Sequence, residues 1–383
     1  MPDVLSKSLQ SSASRRAFLR STARTALGIS LTGLDAAAWS ERIAGEAHPD
    51  RVGTPQVVLN GNEYFEGPVP AAAEAAAKAV REGNRYHREL TDGLRDIICQ
   101  SHGIRPERLA LFPGSADALQ FAAIAFTSPS RSLICADPTF EVVPWQASAV
   151  GAKVHAVPLT PDYSHDIQAM VAADPNAGLF YICNPNNPTG TITTEREIAW
   201  ALRHKPAGSV LLIDEAYIHF SDAESAINLA NSEEDILVLR TFSKIFSLAG
   251  LRCGFAVGDP ELLSRFGLRT PNFLPTPAVA AATVSMQDPE LVPMRKRVIS
   301  ATRADMLRWL SQHGRRFIPS QTNFFLLDMG MRGSLAGVRM AQQGVSIGRS
   351  WPSMPTFARI TIGSGQEMEF FRKGLLRESE ARP

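Results

Sequence analysis

The sequence predicts an α/β fold, with a large domain on a mostly parallel sheet and a smaller α+β domain at the C-terminus. Between residues 109 and 257, short apolar runs alternate with segments of helical character. That alternation is typical of parallel strands joined by right-handed helical crossovers that cover both faces of a sheet. After Pro277 the alternation stops, and one long helical stretch is followed by a few strands. A chain of 383 residues, 44% of them hydrophobic, is long enough for two domains.

The large domain is predicted to extend over residues 71–276 and to begin with an alanine-rich helix at 71–80. Its strands are predicted at 109–112, 132–136, 153–158, 179–183, 210–213, 236–241 and 254–257, and its other helices at 117–126, 166–173 and 195–203. The small domain, residues 277–383, is predicted to contain helices at 291–312 and 335–343, strands at 323–327 and 358–362, and a terminal helix. Residues 48–70 are predicted to be an arm that joins the small domain.

Composition excludes several classes of protein. The chain has 39 basic and 38 acidic residues, a net charge of +1, which argues against a dedicated nucleic-acid binder or a stable membrane association. The cysteines at 99, 135, 183 and 253 lie far apart, mostly in apolar runs, so they are interpreted as small buried hydrophobic residues and not as a zinc site or a disulfide framework. The eight histidines show no paired ligand spacing, and no metal is predicted.

The N-terminus has the features of an export signal. Ser-Arg-Arg-Ala-Phe-Leu-Arg at residues 14–20 resembles a twin-arginine motif, and the apolar run at 26–34 is too short to span a bilayer. Small residues at 36–38 or 44–47 could supply a cleavage site. We therefore predict that residues 1–47 are a signal peptide and that the mature protein is periplasmic. The alternative is a basic, frayed N-terminal arm on a cytoplasmic protein.

The motif of greatest chemical interest is Thr-Phe-Ser-Lys at residues 241–244, which follows the apolar run 236–239. A lysine between hydroxyl side chains is suited to form an imine with an aldehyde cofactor whose phosphate needs donors. Arg252, a few residues on, would supply an always-charged fork for that phosphate. A lysine after a strand is commonly just a solvated side chain, so Lys244 gains weight only from the motifs found with it.

Polar segments follow other predicted strands of the same sheet. Strand 179–183 runs into Asn-Pro-Asn-Asn-Pro-Thr-Gly at 184–190, and strand 210–213 runs into Asp-Glu-Ala-Tyr at 214–217. Sites in open α/β sheets lie at such strand ends. After strand 109–112, Gly114 and Ser115 open a helix whose free N–H groups and dipole suit a phosphate, although ordinary turns can look the same.

Together these motifs resemble the fold-type I aminotransferases that use pyridoxal 5'-phosphate (PLP), and most closely the histidinol-phosphate aminotransferase branch. The resemblance covers nearly all of the chain after the first fifty residues. It implies an aspartate aminotransferase-like fold, a small-molecule amino donor, a 2-oxo acid acceptor, and a homodimer with shared active sites.

The resemblance also implies roles for individual residues. Lys244 would hold PLP and move a proton during catalysis, and Asp214 would keep the pyridine nitrogen protonated by direct charge attraction. Asn187 and Tyr217 would hydrogen-bond the phenolic oxygen of the ring, and Phe140 would stack on its face. The phosphate would be held by Gly114, Ser115, Ala116, Thr241, Ser243, Arg252 and the partner's Tyr86. Strand-end turns, a core phenylalanine and a surface tyrosine are the structural alternatives.

Substrate recognition is predicted from fewer residues. Asn62 lies in an opening segment that resembles the family's Asn-x-Asn-Glu-Asn-Pro, except that Tyr64 and Phe65 replace Asn-Pro, which leaves the substrate open. Arg359 matches the arginine that takes the substrate α-carboxylate, and Arg349 lies near the arginine of the family's phosphate end. The predicted activity is transamination, with histidinol phosphate as the leading named substrate. A PLP-dependent lyase or decarboxylase and a non-catalytic PLP-binding regulator are the alternatives.

Overall fold

A seven-stranded sheet forms the centre of the molecule. This computed structural model describes residues 55–267 and 274–380, and the strands of the sheet are β2 Leu109–Phe112, β3 Ser132–Asp137, β4 Val154–Pro158, β5 Ala177–Cys183, β6 Val210–Asp214, β7 Ile236–Thr241 and β8 Gly254–Gly258. They lie in the order β2-β8-β7-β6-β5-β3-β4, and all neighbouring strands are parallel except that β8 runs antiparallel to both β2 and β7. The predicted mostly parallel sheet is confirmed.

Helices cover this sheet and complete the chain. They are α1 Pro70–Arg81, α2 Arg88–His102, α3 Ser115–Phe126, α4 Val142–Ala149, α5 Ile167–Ala172, α6 Glu195–His204, α7 Ile227–Ser232, α8 Pro260–Gly267, α9 Thr276–Gln287, α10 Leu291–Gln312, α11 Gly333–Gln342 and α12 Gly365–Glu380. Local signals set some of these ends. Helix α6, for example, begins with a capping box in which Thr194 and Glu197 satisfy each other's backbone N–H groups.

Two hydrophobic cores lie on the two faces of the sheet. Every residue of β5, β6, β7 and β8 is buried, as expected for strands with helices on both sides. Along β6 the side chains alternate, so that Leu211 and Ile213 belong to one core while Val210 and Leu212 belong to the other. This burial explains why the strands appear in the sequence as continuous apolar runs.

Two smaller sheets form the C-terminal region. One is antiparallel and contains β9 Phe317–Ile318, β10 Phe324–Asp328 and β12 Phe357–Thr361. The other pairs β1, Val57–Leu59, with β11, Val345–Ile347, in parallel. The arm before α1 therefore adds a strand beside β11, while the predicted division into domains stays a prediction. The predicted boundary at residue 277 falls at the start of α9, which packs against α1 and α2, and it stays a prediction.

Some elements were not predicted, and the export signal cannot be compared with the structure. Helix α2 was not predicted, although Leu94, Ile98 and Cys99 are buried and form an apolar stripe at helical spacing together with Leu90 and Ile97. Helices α4, α7 and α8 are only 8, 6 and 8 residues long, which leaves few turns over which a period can be recognised. The twin-arginine motif and the candidate cleavage sites lie outside the described residues. Among the helices that are described, none is long and apolar enough to cross a membrane.

Candidate active site

The carboxyl ends of β5, β6 and β7 bring the predicted lysine and acid together. Cys183 at the end of β5 lies beside Asp214 at the end of β6, and Asp214 lies beside Leu239 of β7. Lys244 follows three residues after β7 ends. The charges of Lys244 and Asp214 shift each other's pKa, so the two side chains share one electrostatic environment. The parallel sheet thus assembles at one edge what the sequence separates by 30 residues.

Lys244 is placed as a nucleophile. Its Nζ donates a hydrogen bond to the carbonyl oxygen of Gly61 at 3.2 Å and lies 5.5 Å from the centre of the Tyr217 ring. Loss of hydration lowers the pKa of Lys244 to about 8, and the positive charge of Arg359 adds to the effect. About a tenth of the amine is therefore uncharged at pH 7, far more than for an ordinary lysine, and the uncharged form is the one that attacks an aldehyde.

Asp214 is a buried carboxylate, 2% exposed, with two hydrogen-bond donors. The Ala216 N–H donates to Oδ1 at 3.1 Å, and the Tyr181 hydroxyl donates to Oδ2 at 3.2 Å. Burial nevertheless raises the pKa of Asp214 to about 6. A carboxylate in this position is stabilised by a cation brought to it, and a protonated pyridine nitrogen is such a cation. Tyr181 was not predicted, although it lies on the same side of β5 as Cys183.

A cradle for an anion lies beside the lysine. Gly114, with φ of +86°, precedes the N-terminus of α3, and a Cβ at this glycine would stand 2.4 Å from Nη2 of Arg252. The hydroxyl of Thr241 donates to Oγ of Ser243 at 2.8 Å, and Nη1 of Arg252 lies 3.4 Å from the same oxygen. Ser115 and Ala116 form the first turn of α3, where N–H groups lack intrahelical partners. The structure brings these groups together, and their role in holding a phosphate stays a prediction.

The predicted ring-binding residues line the same space. Tyr217 accepts a hydrogen bond from Nδ2 of Asn62 at 3.1 Å, and Asn187 accepts one from Nη1 of Arg359 at 2.9 Å. Both asparagines are buried. The other two predicted cofactor residues are placed differently. Phe140 lies between β3 and α4 against one of the sheet cores, and Tyr86 lies between α1 and α2 with 71% of its surface exposed.

Hydrogen bonds hold the N-terminal arm beside Lys244. Asn323 donates from Nδ2 to the carbonyl oxygen of Asn62 at 2.9 Å. The buried guanidinium of Arg295 donates to the carbonyl oxygens of Gly67 and Ile245, at 2.8 and 2.7 Å. One side chain of α10 therefore joins the arm to the turn that follows Lys244. This clamp was not predicted, because its parts lie far apart in the sequence.

Arg359 is a strong candidate for binding a carboxylate. Its Nη2 donates to the carbonyl oxygen of Asn60 at 2.7 Å, and its Cζ lies 5.8 Å from the centre of the Phe324 ring. Across the described ranges, no carboxylate forms an ion pair with it, and its buried Nε has no hydrogen-bond partner. Burial lowers the pKa of the Arg359 guanidinium, which a substrate carboxylate would reverse. The structure thus leaves this charge available to a ligand.

Arg349, by contrast, already has an acidic partner. Its Nη2 contacts Oε2 of Glu141, the first residue after Phe140. The Arg349 guanidinium also lies over two indole rings, 4.9 Å from the centre of Trp351 and 5.8 Å from that of Trp145. The predicted role of Arg349 in holding an anionic end of the substrate stays a prediction, with Glu141 as a competitor that the sequence did not reveal.

Comparison with known proteins identifies the family. The family model for aminotransferase class I and II matches residues 54–374. The chain belongs to this family. It is 33% identical over 331 residues to an aromatic amino acid aminotransferase of Nocardia farcinica, covering 84% of this chain and 92% of that protein. It is also 33% identical to histidinol-phosphate aminotransferase 1 of Nitrosococcus oceani over 317 residues, covering 81% and 85% of the two chains.

A solved relative shows the same fold with its cofactor. The histidinol-phosphate aminotransferase of Sinorhizobium meliloti, determined in complex with PLP, superposes with a TM-score of 0.80 at 23% identity, covering 89% of this chain and 93% of that one. The present aminotransferase is therefore a PLP-dependent transaminase with an aspartate aminotransferase-like fold. Its site contains what PLP requires of a protein: an amine, a buried carboxylate and an anion cradle.

The remaining sequence predictions concern thiols and metals. All four cysteines fall within the described part of the aminotransferase, and each is a buried free thiol, so the interpretation as small hydrophobic residues is confirmed. Within residues 55–267 and 274–380, no group of three or more His, Cys, Asp or Glu side chains is arranged to hold a metal ion.

Proposed function

We propose that this transaminase exchanges amino groups between donors that carry an anionic group next to the amino-bearing carbon and 2-oxo acids, with that anionic group bound by Arg359. The observation that carries the proposal is the half-buried Arg359 guanidinium, whose charge acts on Lys244 and which has no carboxylate of its own among the described residues. Histidinol phosphate is the leading named substrate because of the Nitrosococcus relative, and aromatic amino acids come second because of the Nocardia relative.

Each residue of the site has its own proposed role in binding PLP or in moving a proton. When bound, PLP supplies an electron sink for the pair of electrons released at the donor Cα. Lys244 would hold the cofactor through its amine and, when that amine is free, would take the proton from the donor Cα. Asp214 would favour a positive charge at the ring nitrogen, and Tyr217 and Asn187 would bind the phenolic oxygen. The cradle around Gly114 fixes the phosphate, and fixing the ring orients the Cα–H bond for cleavage.

The chemical class is tested by a half-reaction. Purified holoenzyme is mixed with a single amino donor and no acceptor, across a panel that includes histidinol phosphate, glutamate and aromatic amino acids. A transaminase accumulates pyridoxamine phosphate together with one equivalent of keto product. A lyase or decarboxylase normally returns the cofactor to its starting form, so recovery of unchanged PLP after product has formed would contradict the proposal.

Replacing Arg359 with alanine is expected to weaken binding of carboxylate donors. Loss of charge-assisted hydrogen bonds should cost about 2 kcal/mol, which is about 30-fold in KM. Steady-state kinetics with a carboxylate donor measure the effect, and the exposed Arg297, changed to alanine, is the matched control. If KM stays within twofold of the wild-type value in Arg359→Ala, Arg359 does not bind the carboxylate.

Replacing Gly114 with alanine is expected to weaken PLP binding by about tenfold or more. The new methyl group would displace Arg252 from the cradle, and a hydrogen bond to a charged group contributes about 1.5–3 kcal/mol. Gly314→Ala is the control, because Gly314 also has a positive φ, +62°, but a Cβ there meets no atom within 4 Å. Titration of the cofactor-free protein with PLP should separate the two variants, and equal PLP affinities would show that Gly114 does not shape the cradle.

We further infer a homodimer and export to the periplasm. The dimer is supported by the exposure of Tyr86, which the family resemblance places at the phosphate of the neighbouring subunit. Sedimentation analysis tests the dimer, since a monomer with full activity would contradict shared sites.

Export is supported by the twin-arginine motif at residues 14–20. Cell fractionation of the full chain tests it, and an Arg15→Lys, Arg16→Lys variant, which should stay in the cytoplasm, is the comparison.

A further inference from the structure

The ion pair between Glu141 and Arg349 joins two distant parts of the chain close to Arg359. Glu141 precedes α4 on the central sheet, and Arg349 follows β11 in the C-terminal region. Their side chains are 18% and 40% exposed, so the carboxylate is the more deeply buried partner. A second contact joins the same two parts of the chain: the hydroxyl of Ser353 donates a hydrogen bond to Oδ1 of Asp137 at 3.0 Å.

The pair lies next to the proposed carboxylate site. The Trp351 ring stands close to both arginines, with its centre 5.7 Å from Cζ of Arg359 and 4.9 Å from Cζ of Arg349. The charges of Arg349 and Glu141 both act on Arg359. A donor whose anionic group is bound by Arg359 would therefore direct the remainder of its structure towards Trp351 and the pair. We call the group formed by Glu141, Trp145, Arg349 and Trp351 the distal subsite.

Charge in the distal subsite is balanced before a substrate arrives. Arg349 alone would attract an anion, but the carboxylate of Glu141 already occupies its guanidinium. A second anion would have to displace Glu141 or sit beside it, and like charges brought together at an interface cost several kcal/mol. Of the two indole rings near Arg349, that of Trp351 is buried and that of Trp145 is exposed, so Trp145 offers an apolar surface to a flat or apolar group instead.

We propose that Glu141 is a specificity-determining residue that excludes donors with an anionic distal group and admits donors whose distal group is uncharged. The proposal rests on the proposed function, because it assumes that Arg359 binds the other end of the donor. It implies that a phosphate-bearing donor cannot place its phosphate at Arg349. The counter-ion therefore makes the arginine a structural support for the distal subsite and not an anion receptor.

The experiment compares donors that differ in distal charge. Holoenzyme and its Glu141→Gln variant are assayed for kcat/KM with phenylalanine, which has an uncharged distal group, and with glutamate and O-phosphoserine, which have anionic ones. Wild-type enzyme should favour phenylalanine over both anionic donors by about tenfold or more. In Glu141→Gln, the ratio of kcat/KM for each anionic donor to kcat/KM for phenylalanine should rise about tenfold.

Two further variants keep the test decisive. Arg349→Gln leaves Glu141 unpaired and should lower kcat/KM for glutamate still further relative to phenylalanine. Glu234→Gln removes a negative charge from the exposed segment before β7 and should leave all ratios unchanged. The proposal is overturned if the glutamate-to-phenylalanine ratio is the same in wild type, Glu141→Gln and Arg349→Gln. If wild-type enzyme turns over none of a broad donor panel, the proposed function fails as well.

Discussion

Replacing Lys244 with alanine is expected to abolish transamination, with a loss of turnover on the order of 10⁴-fold or more. The variant loses both the covalent attachment of PLP and the amine that carries the Cα proton. Water cannot replace this amine efficiently, because the amine is positioned by the Gly61 carbonyl and beside the Tyr217 ring. The measurement is single-turnover conversion of PLP to pyridoxamine phosphate with a donor in excess.

Two controls separate chemistry from folding. Lys373→Ala removes a lysine from the exposed surface of α12, and its turnover should match that of wild type. The Lys244→Ala protein should keep its far-ultraviolet circular dichroism, because Lys244 contributes no core packing and its amine is costly to bury. Turnover within tenfold of wild type in Lys244→Ala would show that another group performs the proton transfer.

Replacing Asp214 with asparagine is expected to lower turnover by about 10²- to 10³-fold and, at the same time, to stabilise the cofactor-free protein. The amide is neutral, so it cannot hold a positive charge at the ring nitrogen. In the absence of cofactor, the neutral amide should raise the free energy of unfolding, because the buried carboxylate that it replaces has no cation in direct contact among the residues described.

The stabilisation has a defined dependence on pH. The pKa of Asp214 is raised from its ordinary value of 3.8 to about 6 in the folded protein, so the folded state binds the proton more tightly than the unfolded state. The stability of the native protein therefore falls as pH rises from about 4 to about 6, by up to about 3 kcal/mol. The Asp214→Asn variant escapes this penalty but leaves an amide donor buried, so we expect a net gain of about 2 kcal/mol at pH 8.

Urea denaturation of the two cofactor-free proteins at several pH values measures this gain. The gain should be fully present above about pH 6 and should be lost below about pH 4, where Asp214 is protonated in both states and the buried amide leaves the variant less stable than wild type by about 1 kcal/mol. Tyr181→Phe is a matched comparison, because it removes a hydrogen bond to Asp214 while keeping the carboxylate. A destabilised Asp214→Asn protein at pH 8 would contradict the assignment of Asp214 as a functional acid held at a cost in stability.

Much of the fold could be predicted because its strands are buried on both faces. Such strands appear as uninterrupted apolar runs, and those of β5, β6 and β7 were found with their ends within a residue or two. The strand ends in turn placed Asp214 and Lys244 at one edge of one sheet. Helix α2 was missed although Leu90, Leu94, Ile97 and Ile98 recur at the i, i+4, i+7, i+8 spacing of an amphipathic helix, so its pattern is present in the sequence.

The contacts that tune the site depend on register and on distant pairing. Tyr181 reaches Asp214 only because β5 and β6 pair with Cys183 opposite Asp214. Glu141 and Arg349 are separated by 208 residues, and Arg295 meets Gly67 across 228. No local pattern marks such pairs, so the sequence predicted Arg349 as a free charge and could not reveal its counter-ion.

The most direct test is to locate the covalent link between the enzyme and PLP. Holoenzyme is reduced with borohydride, digested, and mapped by mass spectrometry for the peptide that carries the pyridoxyl group. We expect the group on Lys244 alone, at one equivalent per chain, and its absence from Lys244→Ala. A pyridoxyl group on a different lysine, or none after reconstitution with PLP, would contradict the central claim that Lys244 holds the cofactor opposite Asp214.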